Sequence, residues 1–249
     1  MKNTPPTAAP FEVPHTHDPI RSIEDPVYML GDNHGFYGEI YDILEQRKIR
    51  DSVIIHVGDG EEGCENWSDD GVRYANSRFQ EVGVEYLSIR GNHSNPALFD
   101  GSVNHSHFKL LPDYTRLLIN GQSWLLIGGA ISINRMDLIP GVDWWRDERF
   151  VLRKDLIASA DVLVTHSGPS WIGPTCRNEF VQIFADSEME RGIDLIDELE
   201  IERQLHDRLF EAVRPRHWYL GHFHHSETLI NMGCTTRILS VCELHHHHP

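Results

Sequence analysis

Cysteine is scarce in this sequence, and its few copies are widely separated. The four cysteines are Cys64, Cys176, Cys234 and Cys242, and no two of them form a Cys-x-x-Cys pair. This spacing argues against a zinc knuckle and against the disulfide framework that small secreted domains use. We therefore expect four reduced thiols.

Positive charge is also in short supply. The chain has 22 Lys and Arg against 38 Asp and Glu, which gives a formal net charge of −16 at pH 7. A surface of this charge repels nucleic acids and anionic membranes, so we expect neither as a partner. A phosphate-bearing substrate would need a local positive centre, which bound metal would supply.

Long apolar runs are missing as well. No segment approaches the roughly 20 apolar residues of a membrane-spanning helix. The N-terminus is rich in proline and threonine and lacks the basic and then apolar order of a signal peptide. These absences predict a cytoplasmic protein.

What the chain does have is enough length and apolar composition for one large domain, with 249 residues of which 40% are hydrophobic. Prolines near the N-terminus predict an extended arm over residues 1–25. The domain is predicted over residues 26–243. Residues 244–249 include four consecutive histidines, resemble part of a purification tag, and are left out of the predicted fold.

The first half of the chain alternates short apolar runs with helical patterns. Three runs predict buried strands, at residues 27–30, 53–57 and 84–89. Apolar residues at helical spacing predict helices over about 37–47 and 70–82. Together these elements predict two β-α-β crossovers.

The second half of the chain has a different pattern of predicted strands and helices. Two β-rich runs around Asn120-Gly121-Gln122 predict a hairpin, which implies a mixed sheet. Further strands are predicted at residues 162–164, 217–220, 228–232 and 237–241. Helices are predicted near residues 150–158 and over 188–213, with an irregular loop at 168–187.

Five short segments, each at the end of a predicted strand, carry side chains of the types that bind metal ions. They are Gly31-Asp32-Asn33-His34-Gly35, Gly58-Asp59, Gly91-Asn92-His93, Thr165-His166 and Gly221-His222-Phe223-His224. Binding sites in open α/β sheets form where strands end. Any one segment alone is typical of an ordinary turn, but their shared position and their order favour a site. A set rich in oxygen and imidazole, without thiolate, suits Mn, Fe, Zn or Co.

The order of these segments resembles the five-part signature of the calcineurin-like metallophosphoesterases, from residue 27 to about residue 241. The resemblance implies an α/β fold, a four-layer α/β/β/α sandwich of two mixed β-sheets flanked by helices. It also implies two divalent metal ions in this domain, with manganese expected first and iron, zinc or cobalt as alternatives. One ion would be held by Asp32, His34 and His224, the other by Asn92, His166 and His222, and Asp59 would bridge both.

A shared carboxylate suits two ions about 3.5–4 Å apart, and a hydroxide that bridges them is a strong nucleophile toward phosphorus. The resemblance implies that His93 protonates the leaving oxygen or stabilises charge, and that Arg90 binds two phosphate oxygens. The other substrate-binding candidates are Arg135, Trp144 and Trp145, because exposed aromatic side chains often wall ligand pockets.

The predicted activity is metal-dependent hydrolysis of phosphoric esters, on a phosphorylated small molecule or a phosphoprotein. Arg90 favours a phosphomonoesterase of the protein-phosphatase type, while a phosphodiesterase or a dinucleoside-polyphosphate hydrolase stays open. A non-catalytic scaffold of the same fold is the alternative of another class, and the intact ligand set argues against it. Many relatives have Asp or Glu directly after the Asn-His pair, whereas this chain has Ser94.

Overall fold

The computed structural model describes residues 22–23 and 25–248, so nearly all of the predicted N-terminal arm lies outside the described residues. The described chain forms two β-sheets. The five-stranded sheet has the order β12-β2-β3-β4-β5. Its strands are β2 (Val27–Leu30), β3 (Ser52–His56), β4 (Val84–Ser88), β5 (Phe108–Leu110) and β12 (Leu244–His246).

Helices connect the first three of these strands as the sequence predicts. Helix α1 (Tyr37–Gln46) follows β2, and helix α2 (Asp69–Glu81) follows β3. Strands β2, β3, β4 and β5 pair in parallel. The two β-α-β crossovers are therefore confirmed, and the parallel strands end at one edge of the sheet.

The histidine-rich tail belongs to this sheet, contrary to the expectation from the sequence. Strand β12 pairs antiparallel with β2, and Leu244 is buried against the helices. The ring of His247 is also buried, with its Nδ1 2.7 Å from the Tyr219 hydroxyl and its Nε2 2.8 Å from Gln122 Oε1. A run of histidines has no apolar alternation, so the sequence pattern alone could not show this pairing.

The seven-stranded sheet has the order β1-β6-β7-β8-β9-β11-β10. Its strands are β1 (Ser22–Ile23), β6 (Thr115–Ile119), β7 (Gln122–Ile127), β8 (Val162–Thr165), β9 (His217–Leu220), β10 (Glu227–Asn231) and β11 (Cys234–Ile238). Strands β6 and β7 form the predicted hairpin, whereas β7, β8 and β9 pair in parallel. The sheet is therefore mixed, as predicted.

The two sheets pack face to face, and helices cover their outer faces. Val27 and Ile55 of one sheet share a buried cluster with Leu126 and Val164 of the other. Helices α1 and α2 pack on the outer face of the five-stranded sheet, and helix α4 (Leu195–Val213) packs on that of the seven-stranded sheet. The predicted four-layer α/β/β/α sandwich is confirmed. No helix within the described ranges has both the length and the apolar character needed to cross a membrane.

The third helical region differs from the prediction. Helix α3 (Glu179–Met189) lies largely within the segment predicted to be a loop, and α4 begins only at Leu195. The side chain of Asn178 accepts from the N–H of Val181 and fixes the start of α3. The helix predicted near residues 150–158 is only a short 3₁₀ turn, Lys154–Leu156. Apolar residues lie on both faces of α3, with Val181 and Ala185 buried and Phe180 and Ile183 exposed, so the sequence shows no clear apolar stripe.

Candidate metal centre

Five loops from the two sheets meet where their parallel strands end. The structure gathers the carboxylates and imidazoles of these loops into two groups, and within each group the ligand atoms lie within 4.8 Å of one another. One group is Asp32, His34 and His224, and the other is Asp59, His166 and His222. The structure thus brings together the residues that the sequence motifs single out.

The first group lies at the more open side of the site. The Nε2 atoms of His34 and His224 are 3.1 Å apart, and Nε2 of His224 is 3.3 Å from Oδ2 of Asp32. Asp32 is fully buried, and its Oδ2 accepts a hydrogen bond from the backbone N–H of His222 at 2.9 Å. This bond joins the loop after β2 to the loop after β9.

Asn92 joins the second group. Its Oδ1 lies 3.1 Å from Nε2 of His166 and 2.9 Å from Nδ1 of His222. Nδ1 of His166 faces the backbone carbonyl of Val57 at 2.8 Å, an acceptor, so this nitrogen carries a proton. The neutral form of His166 therefore turns an Nε2 lone pair toward Asp59 Oδ2, 3.3 Å away, and toward Asn92.

Without metal, the close contacts in the second group shift the pKa values of Asp59 and His166. Burial disfavours the charge on Asp59, but His166 and His93 outweigh it and hold the pKa of Asp59 well below its usual range. Burial would also lower the pKa of His166, yet the carboxylates of Asp59 and Asp32 raise it to about 9. In the protein without metal, the Asp59 carboxylate therefore pairs with a protonated His166, at a place where a divalent cation would supply the same positive charge.

The chemistry of the donor set therefore fits divalent metal ions. Carboxylate, amide and imidazole acceptors converge there from separate loops, and buried acceptors without a cation repel one another. Oxygen and nitrogen ligands of this kind suit Mn, Fe, Co or Zn.

Four of the candidate ligands have strained backbone conformations. The φ angles of His34, Asp59, His222 and His224 are 42°, 59°, 67° and 53°, in the left-handed region. Each residue in this conformation lowers the stability of the folded protein by on the order of 1–3 kcal/mol, and backbone strain of this kind clusters at functional sites. The strain thus supports a functional role for these loops.

Two glycines let the backbone approach the carboxylates. A Cβ at Gly91 would lie 1.9 Å from Oδ1 of Asp59, and one at Gly221 would lie 1.9 Å from Oδ1 of Asp32. Only a residue without a side chain fits at either position. These glycines therefore make room for the two carboxylates.

A hydrogen-bond chain outside the sequence motifs orients Asn92. Its Nδ2 donates to Ser132 Oγ at 3.0 Å, and Ser132 Oγ donates to Glu148 Oε2 at 2.6 Å. All three residues are buried. Because Nδ2 is fixed in this way, the amide oxygen is the atom turned toward the histidines. Sequence reasoning missed Ser132 and Glu148, which lie in a loop without a ligand motif.

Replacement of Ser132 by alanine should weaken metal binding. The variant removes the acceptor for Asn92 Nδ2, so the amide is free to rotate, and we expect about a 10–100-fold loss of Mn²⁺ affinity. Calorimetric titration with Mn²⁺ measures this loss. Ser123→Ala is the matched control, because Ser123 bonds to Asp161 at the other end of the sheet. Equal Mn²⁺ affinity in the two variants would show that Ser132 does not orient Asn92.

A second residue outside the sequence motifs is Glu62. It is fully buried, and its carboxylate accepts from Ser94 Oγ at 2.7 Å and from Ser88 Oγ at 3.1 Å. Burial raises the pKa of Glu62 to about 7. The carboxylate expected directly after His93 is thus absent at Ser94, but the carboxyl group of Glu62 reaches the same hydroxyl.

Arg90 occupies a different environment from the one that its predicted role requires. Its guanidinium is nearly buried and uses all five N–H groups, two on Asp113 and the others on the carbonyls of Asp147, Glu148 and Arg149. No donor is left for a phosphate. The predicted phosphate-binding role is therefore corrected: Arg90 ties the loop after β4 to two other loops.

His93 lies beside the candidate ligands. Its backbone N–H donates to Asp59 Oδ1 at 2.8 Å, and its ring centroid is 5.8 Å from that of His34. The imidazole belongs to neither ligand group. This position is compatible with the predicted role in proton transfer, which stays a prediction.

The three substrate-binding candidates, Arg135, Trp144 and Trp145, belong to neither ligand group. Arg135 is buried and pairs with Glu188 at 2.7 Å and with Glu198 at 2.8 Å, so it joins its loop to α3 and α4. Trp145 is buried and Trp144 is half-buried. The substrate roles of the two tryptophans stay predictions, whereas Arg135 has a structural role.

Comparison with known proteins found similar solved structures at low sequence identity. No family model matches the sequence, and no curated protein matches it. One similar solved structure is a provisionally assigned 5′-nucleotidase of Staphylococcus aureus, with 12% identity and a TM-score of 0.46 over 87% of this chain and 48% of that chain. This chain therefore spans about half of that protein's length.

Two other similar structures match more of their own length. An archaeal phosphodiesterase has 11% identity and a TM-score of 0.39, over 87% of this chain and 84% of that chain. A cold-active protein-tyrosine phosphatase of a Shewanella species has 13% identity and a TM-score of 0.38, over 87% and 72%. Similarity this low identifies no function, so the function must be inferred from the side chains of the site.

Proposed function

We propose that this protein is a phosphoric ester hydrolase that works with two divalent metal ions. The observation that carries the proposal is the convergence of seven oxygen and imidazole ligands, from five loops of two sheets, into two adjacent groups. Such a set has no use in packing alone, since buried charges and strained loops both reduce stability. For the same reason it argues against a non-catalytic scaffold.

The proposed ligands follow the two groups. One ion would be held by Asp32, His34 and His224, the other by Asn92, His166 and His222, and Asp59 would be shared. When bound, two divalent ions would lower the pKa of a coordinated water and neutralise charge on the phosphate oxygens.

The chain's own residues would complete the site. Asp59 accepts the backbone N–H of His93 and so holds that residue at the edge of the ligand groups. The His93 imidazole would there donate a proton to the leaving oxygen or stabilise negative charge. Arg90 would act indirectly, by holding the loop that carries Asn92 and His93.

The hydrogen bonds of the Arg90 guanidinium bear on the choice between monoester and diester substrates. The preference for a phosphomonoesterase of protein-phosphatase type rested on a free guanidinium, and this guanidinium is fully engaged. We therefore propose hydrolysis of phosphoric esters, with a phosphomonoesterase and a phosphodiesterase as the two forms to be distinguished by assay.

The test is hydrolysis by metal-free protein before and after addition of Mn²⁺, with p-nitrophenyl phosphate and bis-p-nitrophenyl phosphate as substrates. The histidine tail could itself bind metal, so the assay should use a background with His246→Gln and His248→Gln. We expect activity only with added metal, and loss of that activity with a chelator. Hydrolysis that a chelator leaves unchanged, or no hydrolysis of either ester with Mn²⁺ bound, would disprove the proposal.

A further inference from the structure

A cavity of about 320 Å³ lies next to the candidate metal centre. Two loops of the centre contribute to its wall, the loop after β2 through Gly35 and the loop after β3 through Glu61 and Cys64. Oε1 of Glu61 is 3.8 Å from Nδ1 of His34, and the Cys64 thiol donates to the carbonyl of His93 at 3.6 Å. The cavity and the metal centre therefore share a wall.

Five aromatic residues contribute to the rest of the cavity lining. They are Tyr37 and Tyr41 of α1, Trp67 before α2, Tyr74 of α2 and Phe108 of β5. Several are in ring contact: the centroids of Tyr41 and Tyr74 are 6.5 Å apart, and those of Trp67 and Phe108 are 6.2 Å apart. Tyr74 is 61% exposed, so a large ring stands at the mouth of the cavity.

The charge and polar groups of the lining restrict what can bind. Among the described residues that form the wall, none is Lys or Arg, and the carboxylate of Glu61 stands on the side of the metal centre. A second phosphate group would be repelled there, which argues against dinucleoside polyphosphates.

We propose that the cavity binds a planar aromatic ring on the alcohol side of a phosphate ester whose phosphorus lies at the metal centre. The volume is at the lower end for ligand pockets and fits one ring system, and aromatic walls favour edge and stacking contacts with such a ring. This inference rests on the proposed function. In the reaction, the oxygen of a water bonds to phosphorus, the bond from phosphorus to the ester oxygen breaks, and a proton from that water ends on the ester oxygen. The products are the neutral alcohol that carries the ring and inorganic phosphate.

Gly38 offers a way to fill the cavity. It lies in α1, belongs to the lining, and a Cβ built on it meets nothing within 4 Å. Gly38→Leu should therefore reduce the space for a ring without a clash. Glu45→Leu is the matched control, because Glu45 is an exposed residue of the same helix outside the cavity. A second variant, Tyr74→Leu, removes the exposed ring at the mouth.

The experiment compares phenyl phosphate with ethyl phosphate on the Mn²⁺-loaded protein. We expect Gly38→Leu to lower the ratio of kcat/KM for phenyl over ethyl phosphate by about tenfold or more, and Tyr74→Leu to lower it in the same direction. Glu45→Leu should keep the wild-type ratio. Calorimetry with phenylphosphonate and ethylphosphonate, which are not hydrolysed, should show the same change in the ratio of dissociation constants.

The outcomes separate the two proposals. One outcome is that the wild type hydrolyses phenyl and ethyl phosphate and all three variants keep the wild-type ratio of kcat/KM for the two esters. In that case the metal-dependent activity stands and the cavity proposal is wrong. If the Mn²⁺-loaded protein hydrolyses none of the esters and binds neither phosphonate, the proposed function and the cavity proposal both fail. A melting curve checks that Gly38→Leu is folded, and the Tyr74→Leu ratio decides the matter if it is not.

Discussion

Asp59→Asn is expected to abolish hydrolysis and to deplete the centre of metal. Asp59 is buried, with Oδ1 on the backbone N–H of His93 and Oδ2 3.3 Å from His166 Nε2. Asparagine keeps the shape and one acceptor but removes the negative charge that two neighbouring cations would share. Losing that charge would cost several kcal/mol of electrostatic stabilisation, so we expect kcat to fall by about a thousandfold. Metal analysis should find fewer than two ions per chain.

A matched control for this variant is Asp161→Asn. It makes the same chemical change at the opposite end of β8, where Asp161 accepts from Ser123. We expect this control to retain its metal content and activity. If Asp59→Asn kept two ions and near-normal turnover, Asp59 would not be the shared ligand.

Arg90→Ala is expected to reduce stability strongly. The Arg90 side chain is 6% exposed and that of Asp113 is 27% exposed, and their closest nitrogen and oxygen atoms are 2.8 Å apart. Removal of one partner of a buried ion pair costs roughly 3–5 kcal/mol, and partial exposure of Asp113 places this pair near the lower value. In a domain of this size, about 3 kcal/mol corresponds to a fall in Tm on the order of 10 °C. Thermal unfolding measures this fall.

Arg90→Lys is the companion variant, because lysine keeps the charge but cannot reproduce five fixed donors. It should recover only part of the lost stability. An unchanged Tm for Arg90→Ala, together with a selective loss of kcat/KM for a phosphate monoester over a diester, would restore the phosphate-binding role that the sequence suggested.

The candidate ligands could be predicted because each follows a strand whose sequence is distinctive. The apolar runs ending at Leu30 and His56 are fully or largely buried, and a Gly-Asp pair follows each of them. Parallel strands end at one edge of a sheet, so a pattern along the chain becomes a cluster in space. The same reasoning applies to the histidines after β8 and β9.

The supporting contacts could not be predicted, because they join residues far apart in sequence that have no shared pattern. Ser132 is 40 positions from Asn92, and Asp113 is 23 positions from Arg90. Serine, aspartate and glutamate in loops are usually solvated, so their burial depends on tertiary packing. Glu62 shows the same difficulty, because it is buried whereas the adjacent glutamate, Glu61, is only partly buried at the rim of the centre.

The most direct test of the account is an anomalous difference map from crystals grown with Mn²⁺. Two peaks per chain are predicted, about 3.5–4 Å apart, as in other two-metal sites. One should lie among Asp32, His34 and His224 and the other among Asn92, His166 and His222, with Asp59 touching both. No peak in this region, or a peak only at the C-terminal histidines, would contradict the dimetal centre.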